Sequence, residues 1–168
     1  MDKTSISGST ARHVATRTPV GFLAFGFGSG LAPKAPGTVG TLMGMLVGLP
    51  LAGVPLWAGL VIVALAFLAG IPICQKASTA LGVHDHSGIV WDEFVGIWLV
   101  LVLVPFEPAW WLAAFLAFRL FDVVKPWPIG WLDRKVDGGF GIMLDDLIAA
   151  LYAAAVLIAI RNLLPPGG

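Results

Sequence analysis

Residues 84–96, which read HDHSGIVWDEFVG, place two adjacent carboxylates at the start of an apolar segment. The carboxylates are Asp92 and Glu93, and the apolar segment continues to Pro105 with Ile, Leu, Val and Trp as its main residues. An ionised carboxylate in a hydrocarbon layer is costly, about 2.5–3.5 kcal/mol at a bilayer centre and less near the surface. We therefore expect the pair to serve a function, and a divalent cation would keep both groups ionised.

The amino-acid composition is that of a membrane protein. Of the 168 residues, 58% are hydrophobic and 12% are charged, whereas a soluble domain averages about 25% charged residues. Ten basic and ten acidic residues balance each other, so no basic surface for nucleic acid is predicted. Cys74 is the only cysteine, which excludes a disulfide framework and a cysteine-based metal site.

The first 37 residues contain two segments without a long apolar run. Residues 1–20 hold mainly Ser, Thr, Arg and similar polar residues, and they are predicted to be a flexible tail without a secretory signal. Residues 21–168 are predicted to form a single membrane-embedded domain. Its first part, residues 21–37, is rich in glycine and proline. This segment is predicted to be an interfacial loop, either a plain turn or a backbone that approaches a ligand closely.

Residues 35–75 carry no charge and are predicted to form a helical hairpin, with its turn at residues 49–55. Thr38 is the predicted N-cap of the first helix. Small residues recur every fourth position along one face of that helix, which favours close packing against another helix. These small residues are Gly40, Gly44 and Gly48.

Three further apolar runs bring the predicted number of helices to about five, with four to six as the range. The runs are residues 89–105, 109–121 and 147–164. The predicted fold is therefore an all-α, polytopic membrane protein whose helices span the bilayer or re-enter it. Alternation of the helices puts nine of the ten basic residues on one side, and the positive-inside rule makes that side cytoplasmic.

The same alternation puts nine of the ten acidic residues on the predicted cytoplasmic side. A second pair, Asp145 and Asp146, opens the last apolar run as Asp92 and Glu93 open an earlier one. Carboxylates of this kind suit Mg²⁺, which can activate water and bind phosphate oxygens. Solvated loop charges are the simpler interpretation for Asp133 and Asp137.

The sequence lacks the residues that other phosphatase mechanisms require. Cys74 is not followed by an arginine at the required spacing, and no Asp-x-Asp nucleophile pair is present. His84 and His86 have no further histidine nearby for a zinc site and are predicted to be loop residues near the phosphate. Metal-assisted attack of water on a phosphate ester is the chemistry that remains.

Three blocks of the sequence resemble the phosphatidylglycerophosphatase A family, which comprises bacterial membrane lipid phosphatases. They are GSGLAPKAPGTVGT at residues 28–41, DHSGIVWDEFVG at residues 85–96, and FRLFDVVKPWPI at residues 118–129 with its continuation GGFGIMLDD at residues 138–146. The resemblance extends over roughly residues 20–160. It implies Mg²⁺-dependent hydrolysis of phosphatidylglycerophosphate in the bacterial cytoplasmic membrane, at a site that faces the cytoplasm.

The resemblance also implies roles for individual residues. The catalytic set is Asp85, Asp92, Glu93, Asp122, Lys125, Asp145 and Asp146. The Mg²⁺ ligands among them are Asp92, Glu93, Asp122, Asp145 and Asp146. The substrate phosphate is expected to contact Lys34, Gly37, Thr38, Arg119 and Lys125.

Two alternatives remain open at this point. A small transporter or metal carrier would line a path across the bilayer with its acidic residues. A related phosphatase would act on another phosphate ester. The expected partners are the lipid substrate and the bilayer, with no nucleic acid and no obligate protein partner.

Overall fold

The computed structural model describes residues 8–163, and within them every regular element is helical, which confirms the predicted all-α fold. The helices are α1 Gly8–Arg17, α2 Pro19–Ala24, α3 Pro36–Val47, α4 Leu56–Leu81, α5 Trp91–Leu103, α6 Pro108–Val124, α7 Ile129–Leu132 and α8 Gly138–Leu163. Two short 3-10 segments, Gly26–Leu31 and Leu49–Gly53, flank α3.

Helix α5 forms the centre of the fold. Every residue from Trp91 to Leu101 is buried, and α5 packs against α3, α4, α6 and α8. A helix that other helices enclose needs no polar face, which explains why its sequence is apolar on all sides. Asp92 and Glu93 in its first turn are therefore held inside the protein.

The glycine face of α3 packs against α5. A Cβ atom on Gly44 would lie 3.1 Å from Ile97 Cγ2, and one on Gly48 would lie 2.7 Å from Trp98 Cδ1. The Trp98 indole donates a hydrogen bond of 2.7 Å to the Gly44 carbonyl oxygen. Small residues thus bring the two helices close together, as the spacing predicts.

The predicted hairpin has the expected order of elements, with α3, a turn and α4. However, α3 packs mainly on α5 rather than on α4. The predicted N-cap Thr38 is wrong: α3 begins at Pro36, and Ala35 is the N-cap without a capping side chain. Proline explains the earlier start, because its fixed φ suits the first helical position and its missing N–H is not needed there.

Residues 8–20, predicted to belong to a flexible tail, are mostly helical and packed. Ala11, Val14 and Ala15 on α1 are buried, and α1 contacts α2 and α4. The prediction of a flexible tail differs from the structure because three small apolar residues are enough to pack a short helix against the rest of the protein, even when their neighbours are polar. The rest of the predicted tail, residues 1–7, lies outside the described residues.

Two helices of the described chain, α4 and α8, are long and apolar enough to cross a membrane, with 26 residues each. Helices α3, α5 and α6 have 12, 13 and 17 residues. These lengths correspond to about 18–26 Å, short of a hydrocarbon core of about 30 Å. The prediction of about five spanning or re-entrant helices is therefore not confirmed, because an apolar run does not reveal whether lipid or protein covers it.

Candidate active site

Three helices bring carboxylates to one cavity of about 340 Å³. Asp92 and Glu93 belong to the first turn of α5, and Asp122 lies in the last turn of α6. Asp145 and Asp146 belong to α8. Acidic groups that are far apart in the sequence therefore line the same space.

Helix α8 begins about two turns before the position that the apolar run predicts. Asp145 and Asp146 consequently lie inside the helix and not at its N-terminus. Glycine permits the early start, since a Cβ atom on Gly139 would lie only 2.0 Å from the Ile71 carbonyl oxygen of α4. This close contact packs the start of α8 against α4.

Three carboxylates form the most compact part of the cavity. One oxygen from each of Asp92, Glu93 and Asp146 lies within 4.8 Å of the others. Each residue is at most 9% exposed, and Asp92 Oδ1, Glu93 Oε2 and Asp146 Oδ2 have no hydrogen-bond partner. Buried polar atoms are rarely left unpaired. Three converging carboxylates that each retain an unpaired buried oxygen therefore fit a divalent cation, and an all-oxygen donor set suits Mg²⁺.

Two basic residues, Lys125 and Arg119, line the cavity beside these carboxylates. The Lys125 amino group donates a hydrogen bond to Asp145 and one of 3.0 Å to Asp133 Oδ1. Burial by itself lowers the pKa of Lys125, but the Asp145 carboxylate, with Asp133, outweighs burial and raises that pKa above its ordinary value. Lys125 is therefore a permanent cation at neutral pH.

Arg119 binds carboxylates on two helices. It donates a hydrogen bond to Asp122 on its own helix, and its Nη1 atom lies 3.6 Å from Glu93 Oε1 on α5. Its Nε atom is buried without a partner. Arg119 thus retains one donor that a phosphate oxygen can use.

The N-terminus of α3 forms another wall of the cavity. Ala35, Pro36 and Gly37 line it, and a Cβ atom on Gly37 would lie 2.3 Å from Glu93 Oε1. Glycine is therefore required for the helix end to approach the acidic groups so closely. The first N–H groups of a helix have no acceptor within the helix, and they favour anions.

Left-handed backbone conformations occur at two residues that line the cavity. Ala35 has a φ of +46° and Lys125 a φ of +45°. Such conformations cost about 1–3 kcal/mol for residues other than glycine and often mark functional positions. At Lys125 the conformation ends α6 and sets where the side chain leaves the backbone.

The loop before α5 is fastened to α8. The His84 Nε2 atom accepts a hydrogen bond of 2.7 Å from the Gly138 backbone N–H, and the Ser78 hydroxyl donates one of 2.7 Å to the His84 carbonyl oxygen. His84 is thus a loop-anchoring residue and does not line the cavity. Asp85 and Ser87, from the same loop, do line it.

Most of the predicted site residues meet in this cavity. Those that line it are Gly37, Asp85, Asp92, Glu93, Arg119, Asp122, Lys125, Asp145 and Asp146. Lys34 and Thr38 do not line it, and Lys34 is exposed. Of the five predicted metal ligands, Asp122 and Asp145 are paired with Arg119 and Lys125, and Glu93 also lies near Arg119.

Sequence reasoning missed Ser87, which lines the cavity, and the role of Asp133, which binds a residue of the cavity. Ser87 lies between the singled-out Asp85 and Asp92, yet a lone serine in a polar loop gives no signal of its own. Asp133 was interpreted as a solvated loop charge, but it is bound to Lys125. Its partner lies eight residues away, across the turn after α6, and no helical periodicity relates the two.

Known proteins resemble this chain along most of its length. The model of a family described as Phosphatidylglycerophosphatase A matches residues 22–161. Phosphatidylglycerophosphatase A of Haemophilus influenzae is 49% identical over 154 residues, which cover 89% of this chain and 93% of the relative. Phosphatidylglycerophosphatase A of Escherichia coli is 43% identical over 150 residues, which cover 89% of this chain and 87% of the relative.

A third relative, from Bacteroides thetaiotaomicron, is provisionally named a phosphatidylinositol-3-phosphatase. It is 39% identical over 149 residues, which cover 82% of this chain and 89% of the relative. No solved structure matches the chain. The extent of the family match and the identity to relatives along nearly their whole length establish that this chain belongs to the phosphatidylglycerophosphatase A family.

Proposed function

We propose that this protein is a phosphatidylglycerophosphatase, which hydrolyses phosphatidylglycerophosphate to phosphatidylglycerol and inorganic phosphate. The names of its relatives in two bacteria describe this activity for them. The structural observation that carries the proposal is the group of three buried carboxylates, each with an unpaired oxygen, beside two cations in one cavity. A phosphate monoester needs such a combination of a cation site and positive side chains.

Asp92, Glu93 and Asp146 would hold Mg²⁺ in this proposal. One oxygen of each residue lies close enough to the others to share one ion, and each residue has a buried oxygen without a hydrogen-bond partner. Bound Mg²⁺ would polarise the phosphate and lower the pKa of water. Asp122 and Asp145, which also line the cavity, would hold Arg119 and Lys125 in position.

The phosphate would lie between Lys125, Arg119 and the N-terminus of α3. Two carboxylates occupy two of the three N–H donors of Lys125, so one remains for a phosphate oxygen. Arg119 offers its unpaired Nε–H group. Gly37 offers a backbone N–H at a helix end, where anions are stabilised.

Asp85 is the proposed acceptor of the proton that the attacking water loses. It lines the cavity from an exposed loop, and it has no hydrogen bond or ion pair with any described residue. The carboxylates of the proposed ion site are less suitable, because a bound cation lowers their basicity. A large fall in phosphate release in Asp85→Asn, with an unchanged requirement for Mg²⁺, would support this role.

The lipid chains would remain in a bilayer beside α4. Leu56, Trp57, Leu65 and Leu68 on this helix are 54–70% exposed. Residues 56–75 of α4 carry no charge. An exposed apolar surface of this length is unstable in water but fits a hydrocarbon core.

The proposed membrane is the bacterial cytoplasmic membrane, with the active site at its cytoplasmic face. Lys76 and the cavity lie at one end of α4 and α8, and Arg161 lies at the other end of α8. The excess of basic residues on the side of the cavity supports a cytoplasmic orientation.

The distribution of acidic residues disfavours the alternative of a transporter. The described acidic residues other than Glu107 line the cavity or pair with residues near it, so they do not mark a path across the bilayer.

The experiment that tests the function measures phosphate release by the purified protein in neutral detergent micelles. We expect release from phosphatidylglycerophosphate and at least tenfold slower release from phosphatidylinositol 3-phosphate. Glu93→Gln should reduce the rate by about 100-fold or more, because a ligand of the ion is lost. The control Glu107→Gln, an exposed carboxylate at the start of α6, should leave the rate unchanged.

Absence of phosphate release by the wild-type protein would refute the proposed function. Faster release from phosphatidylinositol 3-phosphate would assign the protein to another phosphate ester. An equal loss of rate in Glu93→Gln and Glu107→Gln would mean that loss of any negative charge slows the reaction. The effect could then not be assigned to the cavity.

A further inference from the structure

A second cavity adjoins the acidic one. It has a volume of about 200 Å³, and it shares Pro36 and Ser87 with the acidic cavity as lining residues. Arg12 on α1 and His86 from the loop before α5 also line it. The two cavities are therefore neighbours, and α1 lines the second of them.

The second cavity differs from the first in charge. No carboxylate lines it, and Arg12 is its one charged residue. Among the described residues no carboxylate forms an ion pair with Arg12. An unpaired guanidinium beside an acidic cavity is suited to an anion that is separate from the one bound at the carboxylates.

His86 adds a neutral donor to the second cavity. Its Nδ1 atom accepts a hydrogen bond of 3.0 Å from the Gly88 backbone N–H, so the proton of the neutral ring is on Nε2. Burial lowers the pKa of His86, and Asp85 opposes this shift only in part. The cavity thus combines one positive side chain with the Nε2–H of His86 and the hydroxyl of Ser87.

We propose that the second cavity binds the phosphodiester of the lipid substrate, with Arg12 as its cationic partner. This inference rests on the proposed function. Phosphatidylglycerophosphate carries two phosphates joined by a glycerol unit, so the sites for them have to be neighbours. With the terminal phosphate at the carboxylates, the glycerol unit would cross the wall formed by Pro36 and Ser87, and the phosphodiester would reach Arg12.

Such an arrangement makes α1 a contributor to substrate binding. Binding energy from the phosphodiester, which does not react, helps to hold the terminal phosphate in place. The family match begins at residue 22 and so does not include α1. Arg12 is therefore a residue whose role the family does not assign.

Kinetics of Arg12→Gln in neutral detergent micelles test the inference, with phosphatidylglycerophosphate as substrate. We expect KM to rise on the order of tenfold with kcat within about twofold, which corresponds to the loss of one charge-assisted hydrogen bond. Inhibition by dihexanoyl phosphatidylglycerol, which has the phosphodiester alone, should weaken by a similar factor. Inhibition by inorganic phosphate should not change. Arg12→Lys should lie between the wild type and Arg12→Gln.

Arg17→Gln is the matched control, because Arg17 is an exposed residue on the same helix that does not line the cavity. An unchanged KM in Arg12→Gln would overturn the inference, as would an equal rise in Arg17→Gln. A matching loss of inhibition by inorganic phosphate would also overturn it, because Arg12 would then act on the terminal phosphate. These outcomes require an active wild type, so they are distinct from failure of the proposed function.

Discussion

The Arg119 guanidinium connects α6 to α5 by its approach to Glu93, with 3.6 Å between Nη1 and Oε1. The same guanidinium is hydrogen-bonded to Asp122. Both carboxylates are mostly buried, with side chains 11% and 13% exposed. Arg119 therefore joins the last turn of α6 to the first turn of α5 at the edge of the cavity.

Removal of Arg119 should destabilise the protein. We expect Arg119→Ala to lower the free energy of unfolding by roughly 3 kcal/mol, because it leaves buried carboxylates without a counter-charge. The double variant Arg119→Met with Asp122→Leu should recover part of this loss. Denaturant unfolding in detergent measures the free energy of unfolding of both variants. Arg134→Ala is the control, because Arg134 is exposed. Equal stability of Arg119→Ala and the wild type would contradict the assigned role.

The helix end at Gly37 should not tolerate a side chain. In Gly37→Ala the new Cβ atom would lie 2.3 Å from Glu93 Oε1 and 3.1 Å from Arg119 Nη1. We expect phosphate release to fall by about 100-fold, because a shift of about 1 Å in an active site can have that effect. Gly53→Ala is the control, since no atom lies within 4 Å of a Cβ there. Full activity of Gly37→Ala would mean that α3 does not form a wall of the working site.

Protonation of His86 should weaken the fold. Its pKa is lowered by burial, so the unfolded chain binds more protons than the folded chain between that lowered pKa and the ordinary value of about 6.5. The contribution of neutral His86 to stability is thus fully present above about pH 6.5 and is lost as the pH falls through the lowered pKa. The hydrogen bond from Gly88 to Nδ1 is the contact that protonation breaks.

Thermal unfolding measured between pH 8 and pH 5 checks whether stability falls on acidification, as expected for His86. His86→Gln, whose amide oxygen can accept the same hydrogen bond, should lose less stability on acidification than the wild type. His13→Gln, at an exposed position on α1, should follow the wild type. A steeper loss of stability on acidification in His86→Gln than in the wild type would contradict this expectation.

Much of the site could be predicted from the sequence because charge is scarce in this chain. In an apolar sequence, acidic residues at the ends of hydrophobic runs have few places to lie, and Asp92, Glu93, Asp145 and Asp146 do line one cavity. Which of these groups pair with cations was not predictable. The pairs Lys125–Asp145 and Arg119–Glu93 join residues that only the packing of α5, α6 and α8 brings together.

Helix ends and membrane crossings were less predictable for two physical reasons. Glycines such as Gly139 allow α8 to start before its apolar run, through a contact with α4 that the sequence does not display. The apolar residues of α5 are covered by protein, which hydrophobicity alone does not distinguish from cover by lipid. The helix α1 was missed because its buried face consists of Ala11, Val14 and Ala15, too small to stand out.

The most direct test of the central claim, that Asp92, Glu93 and Asp146 share a divalent cation, is phosphate release as a function of free Mg²⁺ after treatment with EDTA. The account predicts that EDTA abolishes release by the wild type and that Mg²⁺ restores it. Asp146→Asn should require at least about tenfold more Mg²⁺, whereas Glu107→Gln should require no more than the wild type. Full activity in EDTA, or an unchanged Mg²⁺ requirement in Asp146→Asn, would contradict the account.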